Sequence, residues 1–307
     1  MIYDLAIIGG GPGGVSAGVY ASRKRLKTVF ITDSWGGQSA VSEDIQNWIG
    51  TVSIKGSELA ENLRKHLEAY AGDILTIQSG EKSEKIEKTK FGFRVKTSKA
   101  EYEAKTVLIT TGSYRRKLEV PGAEEFDNKG LTYCASCDGP LFTDMDVVVI
   151  GGGNAAFETV AQLLAYCKSV TLLNRSDRFR ADPVTVEKLS KNSKLKIITG
   201  AIPVEVKGSK FVNAIVYKDK ETDKVTELPT AGIFVEIGLL PTTNFAEKIV
   251  KMNEYKQIIV DPRNQQTSIR GIWAAGDCTD GLYHQNNIAA GDAVKALEDI
   301  YMHLHAR

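Results

Sequence analysis

Two of the four cysteines in this 307-residue sequence are separated by two residues, as Cys134-Ala135-Ser136-Cys137, and Asp138 follows them directly. In a Cys-x-x-Cys pair one thiol has a lowered pKa and attacks disulfides, so this spacing is typical of a redox-active dithiol. Asp138 adjoins the pair, where it would move a proton to or from a leaving thiolate, or would cap a short helix or turn.

A zinc site and a chance pairing are the alternatives for the two cysteines. Zinc needs about four ligands, and the other cysteines, Cys167 and Cys278, are isolated in the sequence. We expect Cys167 to pack in the middle of a helix and Cys278 to be incidental. The histidines form no convincing metal spacing with the pair; they are His66, His284, His303 and His305. The sequence therefore favours a dithiol and predicts no metal.

The elements that must position this chemistry centre on two glycine turns. The first joins an apolar strand over residues 1–8 to a predicted helix over 15–25 and a strand over 27–32. It reads G-x-G-x-x-G, the turn that binds a dinucleotide in a strand–helix–strand unit, with its pyrophosphate at the helix N-terminus. The candidate residues are Gly9, Gly11, Pro12, Gly13 and Gly14.

The second glycine turn follows an apolar β-branched run over residues 147–150, which is typical of a buried parallel strand. A helix over 157–168 and a strand over 169–173 are predicted after it. The turn has the form G-x-G-x-x-A, and its candidate residues are Gly151, Gly153, Asn154 and Ala155. Either turn alone is weak evidence for a nucleotide site. Two such turns, each between a strand and a helix that leads to a second strand, indicate a flavoprotein that also takes a nicotinamide nucleotide.

The strand ends indicate which nucleotide each turn takes. After the second turn the strand runs into Asn174 and Arg175, with Arg180 further on. An acidic residue there would bind a ribose 2′-hydroxyl, whereas arginines fit a 2′-phosphate and hence NADP, unless this is only a solvated charged loop. After the first turn the strand ends near Asp33, which could bind the adenosine ribose of a flavin nucleotide.

Composition excludes several other classes of protein. Lys plus Arg number 39 and Asp plus Glu 38, so the net charge of +1 argues against a nucleic-acid binder that relies on bulk charge. No stretch approaches the roughly 20 apolar residues of a membrane span. Four cysteines exclude a disulfide-stapled secreted scaffold. Because the first strand begins at Met1 with no signal peptide, we expect a cytoplasmic protein.

A nicotinamide, a flavin and a dithiol together make a two-electron relay, from hydride donor to flavin to disulfide. Two further strands complete the pattern. One ends in Thr111-Gly112 and the other in Gly276-Asp277, the second ahead of a helix predicted from Gln285 onward.

With these motifs, and with Gly36-Gly37-Gln38 between them, the chain resembles the bacterial low-molecular-weight thioredoxin reductases over essentially its whole length. The resemblance implies an α/β fold with two Rossmann-like domains: a discontinuous FAD domain over 1–114 and 244–307, and an NAD(P)H domain over 115–243 that carries the Cys-x-x-Cys pair. It also implies a homodimer, and a swing of one domain about the other with hinges near 113–122 and 238–244.

The family's site residues carry over by motif. Cys137 would face the flavin, Cys134 would exchange with the partner protein, and Asp138 would be the acid. Asp277 would bind the ribityl and phosphate region of the flavin. The remaining residues expected to line the flavin site are Gly37, Gln38, Asn47, Thr111, Gly112, Gly276, His284, Gln285 and Asn286.

The sequence departs from the family where the nucleotide phosphate would bind. The usual His-Arg-Arg run reads Asn174-Arg175-Ser176, so one guanidinium is missing, although Arg178 adds a charge. NADPH is the expected donor, with NADH possible, because loss of an arginine removes charge-assisted hydrogen bonds to phosphate. Residues 137–142 and 231–241 resemble the flavoprotein of the alkyl hydroperoxide reductase system, without its N-terminal thioredoxin-like module.

A separate thioredoxin-like carrier is therefore expected to receive the electrons, to give an NADPH-dependent thioredoxin-disulfide reductase. A flavin disulfide reductase that uses ferredoxin or NADH, or that reduces a glutaredoxin- or peroxiredoxin-type carrier, is the alternative. A flavin-binding redox sensor without turnover is a third hypothesis, which the complete set of motifs disfavours.

Overall fold

The computed structural model describes residues 2–42 and 44–306. It divides into two compact units, Met1–Tyr114 with Leu240–Arg307 (unit 1) and Arg115–Leu239 (unit 2). The chain returns to unit 1 between Leu239 and Leu240, earlier than the expected residue 244. Unit 1 is thus built from both ends of the chain, and unit 2 is inserted between them.

Unit 1 is built on a seven-stranded sheet in the order β3-β2-β1-β6-β5-β4, with β17 paired to β6. The strands β3, β2, β1, β6 and β17 run parallel, whereas β5 pairs antiparallel with β6 and with β4. Its strands are β1 (Ile2–Gly10), β2 (Thr28–Trp35), β3 (Leu75–Ser79), β4 (Ser83–Lys88), β5 (Phe93–Thr97), β6 (Glu101–Ile109) and β17 (Ile272–Ala274).

The alternation of side chains along β1 builds a core on each face of this sheet. Leu5 and Ile7 pack in one cluster with the helices, and Ala6 and Ile8 pack in the cluster on the opposite face. The helices are α1 (Pro12–Arg23), α2 (Gly56–Ala71) and α6 (Asn286–His305), with 3₁₀ turns at Gly37–Val41 and Asn244–Ala246.

The first helix begins and ends earlier than the sequence pattern predicts. Pro12 occupies its first turn, where the fixed φ of proline suits a helix start and no amide bond is lost. Arg25 has a φ of 59°, which is incompatible with continuing a right-handed helix, so α1 ends at Arg23.

Unit 2 contains a five-stranded parallel sheet in the order β11-β10-β9-β15-β8 and a three-stranded antiparallel sheet in the order β12-β13-β14. The parallel strands are β8 (Leu131–Thr132), β9 (Asp146–Ile150), β10 (Ser169–Leu173), β11 (Leu195–Ile198) and β15 (Gly232–Val235). The antiparallel strands are β12 (Ala201–Gly208), β13 (Val212–Asp219) and β14 (Val225–Pro229).

The helices of unit 2 are α3 (Ala135–Asp138), α4 (Asn154–Leu163) and α5 (Pro183–Ser190), with a 3₁₀ turn at Gly139–Phe142. The prediction that Cys167 lies in the middle of a helix is wrong. α4 ends at Leu163 and a turn follows, although the Cys167 amide still donates to the Leu163 carbonyl at 2.8 Å. The predicted burial of Cys167 is confirmed, since its side chain is fully buried.

The chain crosses between the units in two short strands, β7 (Ser113–Arg115) and β16 (Leu239–Pro241), which form a two-stranded sheet. The predicted α/β class, with two Rossmann-like parallel sheets, is confirmed. No helix among the described residues is long and apolar enough to span a bilayer.

Candidate functional site

The first glycine turn is a tight passage with one open side. A Cβ on Gly14 would lie 1.8 Å from the Gly9 carbonyl oxygen, and one on Gly9 would lie 2.3 Å from that of Thr110, so neither position accepts a side chain. A Cβ on Gly11 would meet nothing closer than the Gly37 Cα at 3.9 Å. The turn is therefore closed toward the sheet and open beside Gly11, as the approach of a pyrophosphate requires.

The neighbouring residues of this turn serve packing. Pro12 and Gly13 lie in the buried first turn of α1, and a Cβ on Gly13 would come 3.1 Å from the Ala289 carbonyl oxygen of α6. Asp33 is exposed, and β2 continues past it to Trp35.

Asp277 contacts residues of unit 1 that were predicted to line the flavin site and that come from distant parts of the chain. The Gln38 Nε2 atom donates to the Ser113 hydroxyl at 3.3 Å and to Asp277 Oδ2 at 3.5 Å. His284 Nδ1 lies 3.6 Å from Asp277 Oδ1, is itself buried, and has no hydrogen-bond partner within the described residues. A buried polar atom without a partner beside an acidic group fits a site completed by a polar ligand.

A second set of contacts ties the loop around Asn47 to the start of α6. Asn47 Nδ2 donates to Gln285 Oε1 at 3.2 Å, and Asn287 Nδ2 donates to the Asn47 carbonyl at 2.7 Å. The Ser39 hydroxyl donates to Asn286 Oδ1 at 2.8 Å. Gln285 is the N-cap of this 20-residue helix and its side chain makes no cap bond, so the first amides of α6 remain available to a ligand.

Sequence reasoning missed Ser39, Ser113 and Asn287 in this site. The position of Asn287 beside two predicted residues was the available signal, but single serines carry none. The Thr111 hydroxyl donates to the Thr242 carbonyl at 2.6 Å, so it serves the local backbone. Gly112 has a φ of +63°, and a Cβ there would meet nothing within 4 Å. Gly276 has a φ of +75° and is the second residue after the end of β17.

The second glycine turn, which lies in unit 2, also has one closed side and one open side. A Cβ on Gly151 would lie 2.4 Å from the Glu236 carbonyl oxygen, whereas one on Gly153 would meet nothing within 4 Å. Gly153 is the N-cap of α4, and Asn154 and Ala155 are exposed in the first turn of that helix. This helix start is therefore accessible to an anion.

In the loop after β10 the arginine side chains are exposed, whereas the asparagine side chain hydrogen-bonds within the loop. Asn174 is buried, and its Nδ2 donates to the carbonyls of Ser176 at 2.7 Å and Arg178 at 3.1 Å. The Arg180 amide donates to the Gly152 carbonyl at 2.7 Å, which holds the loop against the glycine turn. The side chains of Arg175, Arg178 and Arg180 are exposed. Asn174 thus shapes the loop that presents the cations.

A buried carboxylate, Glu236, lies beside the same turn and was not predicted. Its side chain is 9% exposed, and it pairs with Arg115 at 3.1 Å and accepts the Thr159 hydroxyl at 2.9 Å. Burial raises the pKa of Glu236, and the Arg115 charge opposes that rise. An acidic residue directly after the apolar strand β15 was the signal that could have found it.

Cys134 and Cys137 form a disulfide at the carboxyl end of β8, with their Cα atoms 5.3 Å apart. Cys134 is half-buried and caps α3, whereas Cys137 is exposed. Asp138 accepts a hydrogen bond from the Thr132 hydroxyl. Cys167 and Cys278 are buried free thiols, and burial raises the pKa of each to about 11, which leaves them unreactive at neutral pH.

A disulfide with one exposed cysteine, together with two glycine turns that each follow a parallel strand, contains the parts of a flavin-dependent disulfide reductase. Residues 3–293 match the family described as pyridine nucleotide-disulphide oxidoreductase. The chain belongs to this family. As a member of this oxidoreductase family, the protein is expected to use FAD and a pyridine nucleotide. The space beside Gly11 in the first turn and Gly153 in the second fits such cofactors.

Relatives of this oxidoreductase carry two different names. It is 41% identical over 295 residues to a protein of Staphylococcus aureus that is named as a component of alkyl hydroperoxide reductase, and 37% identical over 294 residues to a protein named NADH dehydrogenase in Bacillus subtilis. Each alignment covers 96% of this chain and 57% of the relative. The chain thus spans just over half the length of these relatives.

Solved thioredoxin reductases resemble this oxidoreductase over their whole length. The enzyme from Streptococcus pyogenes is 34% identical, with a TM-score of 0.91 and coverage of 100% of this chain and 99% of that one. The enzyme from Giardia duodenalis is 31% identical, with a TM-score of 0.93 and coverage of 98% of both chains. The resemblance to thioredoxin reductases stated from the motifs is confirmed.

Proposed function

We propose that this protein is an NADPH-dependent thioredoxin-disulfide reductase, in which electrons pass from NADPH through FAD to the Cys134–Cys137 disulfide and on to a thioredoxin-like protein. The observation that carries the proposal is the disulfide itself. It joins Cys134, the N-cap of α3, to Cys137 within that helix, and Asp138 is the last residue of the helix, where its side chain accepts a hydrogen bond from the Thr132 hydroxyl. The other two thiols are buried, so this pair is the group equipped for exchange with another protein.

Unit 1 is proposed to hold FAD. The open side of the Gly9–Gly14 turn would receive the pyrophosphate, and Asp33 would reach the adenosine ribose. The ribityl and phosphate region of FAD would be bound by Asp277, Gln38 and His284. The backbone amides at the start of α6 would contact the flavin ring. In support, Gln38 Nε2 donates to the Asp277 carboxylate across 239 positions of the chain, and His284 Nδ1 lies 3.6 Å from the same carboxylate.

Unit 2 is proposed to hold the nicotinamide nucleotide at Gly151, Gly153 and the exposed start of α4. Arg175 and Arg180 would bind the 2′-phosphate, with Arg178 as an added cation. Three exposed guanidinium groups beside a glycine turn support NADPH, since each makes charge-assisted bonds to phosphate. The nucleotide supplies two electrons as hydride when bound.

The cysteine pair then performs thiol–disulfide exchange. One reduced thiolate, proposed to be Cys134, attacks the partner disulfide, whose S–S bond breaks as a mixed disulfide forms. The departing partner thiolate takes a proton from Asp138. The Cys137 thiolate then attacks Cys134 in the mixed disulfide. This attack expels the second partner sulfur as a thiolate, which takes a proton from solvent to complete the dithiol, and it restores the Cys134–Cys137 bond.

A second candidate differs in the donor or the carrier. The Asn174 amide donates to two carbonyls of its own loop, so it is not free to bind the nucleotide at the end of β10. Fewer contacts to the nucleotide favour weaker discrimination between NADPH and NADH. The relatives named as components of alkyl hydroperoxide reductase make a peroxiredoxin- or glutaredoxin-type carrier the corresponding alternative acceptor. A homodimer remains our proposal for the assembly, on the resemblance to thioredoxin reductases.

An anaerobic stopped-flow titration tests the proposal. NADPH added to the FAD-loaded protein should bleach the flavin band faster than NADH does, and subsequent reduction of thioredoxin should be lost in Cys134→Ser and in Cys137→Ser. Thioredoxin reduction retained in both variants would show that the pair is not the exchange centre. Equal or faster bleaching by NADH would instead support the second candidate.

A further inference from the structure

The hydroxyl of Thr132 lies between the two parts of the redox centre. Thr132 ends β8 and is buried, with 5% of its surface exposed. Its hydroxyl donates to Asp138 Oδ2 and accepts the backbone N–H of Cys134 at 3.3 Å. One side chain thus contacts both the proposed acid and the backbone of one redox cysteine.

The hydrogen-bonding capacity of this hydroxyl suits an acid that changes protonation state. A threonine hydroxyl has one hydrogen and two acceptor lone pairs. The Cys134 N–H occupies one lone pair, so the hydrogen is directed to the Asp138 carboxylate. When Asp138 carries a proton, the hydroxyl can turn and accept it in a hydrogen bond with its second lone pair. The contact can therefore persist in both states of Asp138.

We propose that Thr132 is a positioning residue that holds Asp138 beside the disulfide in both its ionised and its protonated form. This inference rests on the proposed function. Two electrons from the nicotinamide donor break the Cys134–Cys137 bond and leave two thiolates. Asp138 gives its proton to the Cys134 sulfur and becomes the carboxylate. When Cys134 attacks the partner disulfide it returns that proton to Asp138, which passes it to the departing partner thiolate, and solvent then reprotonates Asp138. Thr132 takes no proton in the cycle, and its hydroxyl keeps the donor oxygen in place.

The test compares Thr132→Val, which keeps the shape and removes the hydroxyl, with Thr132→Ser, which keeps the hydroxyl. Thr143→Val is the matched control, because that exposed hydroxyl donates to the Pro140 carbonyl at 2.8 Å in the next turn. The FAD-loaded proteins are mixed with NADPH and quenched with an alkylating agent, and mass spectrometry measures the rate at which Cys134 and Cys137 become thiols. Ferricyanide turnover measures electron flow into the flavin separately.

We expect Thr132→Val to slow thiol formation about tenfold, a part of the roughly 10²- to 10⁴-fold that a positioned acid contributes. Ferricyanide turnover should be unchanged in that variant, and Thr132→Ser and Thr143→Val should stay within about twofold of wild type. In an Asp138→Asn background, Thr132→Val should add little, because Thr132 acts through Asp138.

Wild-type rates in Thr132→Val, or equal losses in the valine and serine variants, would overturn the role of the hydroxyl. If Thr132→Val does not fold, Thr132→Ala is compared in the Asp138 and Asp138→Asn backgrounds; slower thiol formation in the Asp138 background alone supports the role, and wild-type rates in both overturn it. A loss there that is independent of Asp138 overturns the inference. Failure of the proposed function is distinguishable, because wild type would then form no Cys134 and Cys137 thiols with NADPH.

Discussion

Removing Arg115 from its ion pair with Glu236 should strongly destabilise unit 2, because the Glu236 charge is then left buried and unpaired. Glu236 is 9% exposed and Arg115 is 26% exposed, and the Thr159 hydroxyl bonds the second carboxylate oxygen. Arg115→Met removes the cation and leaves a buried carboxylate with one hydrogen bond. Breaking a buried pair in this way costs about 3–5 kcal/mol, and we expect about 3 because Arg115 is partly solvated.

The sign of the pH dependence follows from the raised pKa of Glu236. A carboxyl whose pKa is higher in the folded than in the unfolded state binds more protons when folded. Folding stability therefore falls as pH rises from the unfolded pKa toward the raised one. Without Arg115 the pKa of Glu236 rises further, so Arg115→Met should lose more stability at pH 8 than at pH 5.5. Glu236→Gln removes this slope and should cost about 1 kcal/mol.

The assay uses the placement of the tryptophans. Trp35, Trp48 and Trp273 all lie in unit 1, so their fluorescence reports the unfolding of that unit, whereas far-UV circular dichroism reports both units. For Arg115→Met we expect the dichroism midpoint to fall by about 10 °C at pH 8, with a smaller change in the fluorescence midpoint. Arg116→Met, at the exposed neighbouring arginine, is the matched control. An unchanged midpoint at pH 8, or equal losses at both pH values, would refute this account of the pair.

Three other predictions concern the cofactor turns and the thiols. Arg175→Ala with Arg180→Ala should weaken binding of NADP⁺ at least tenfold and leave NAD⁺ unaffected, since each charged bond contributes about 1.5–3 kcal/mol; calorimetric titration measures both, and equal losses would contradict it. Gly14→Ala should lower the ratio of bound flavin to protein, read from the absorption spectrum, because its Cβ would lie 1.8 Å from the Gly9 carbonyl; wild-type flavin content would show that the turn adapts. After mild reduction at pH 8, iodoacetamide should label the cysteine pair well before Cys167 and Cys278, both with pKa values of about 11; mass spectrometry detecting early labelling of either would contradict their burial.

Local sequence carried most of the information about the two nucleotide turns. Gly14 is required by the Gly9 carbonyl five residues before it, and Gly9 and Gly151 have positive φ angles of 123° and 154°, so the motif can be recognised from local sequence. The carbonyls of Thr110 and Glu236 that also exclude a side chain at Gly9 and Gly151 come from distant parts of the chain. The same holds for the cysteine pair, whose spacing suits one turn of helix. The end of α4 was misplaced, because its apolar pattern continues past Leu163 into a buried turn that packs like a helix.

Contacts between distant residues could not be read in the same way. The sequence pattern singled out Asn174 as a candidate nucleotide ligand, but its amide is directed to two loop carbonyls. Glu236 becomes a buried partner of Arg115 across 121 positions, and Asn287 reaches the Asn47 carbonyl across 240.

Short sequence motifs were enough to predict a dithiol and two nucleotide turns in an α/β chain. Cysteine reactivity and glycine conformation depend on neighbours along the backbone, so local sequence reveals them. Folding determined which polar groups face one another: Thr132 with Asp138, Gln38 with Asp277, and Arg115 with Glu236. Thr132 and Asp138 are close in sequence, but their contact depends on β8 ending at Thr132 and α3 beginning at Ala135. Side-chain partners are set by the packing of elements in space, and no local propensity encodes that packing.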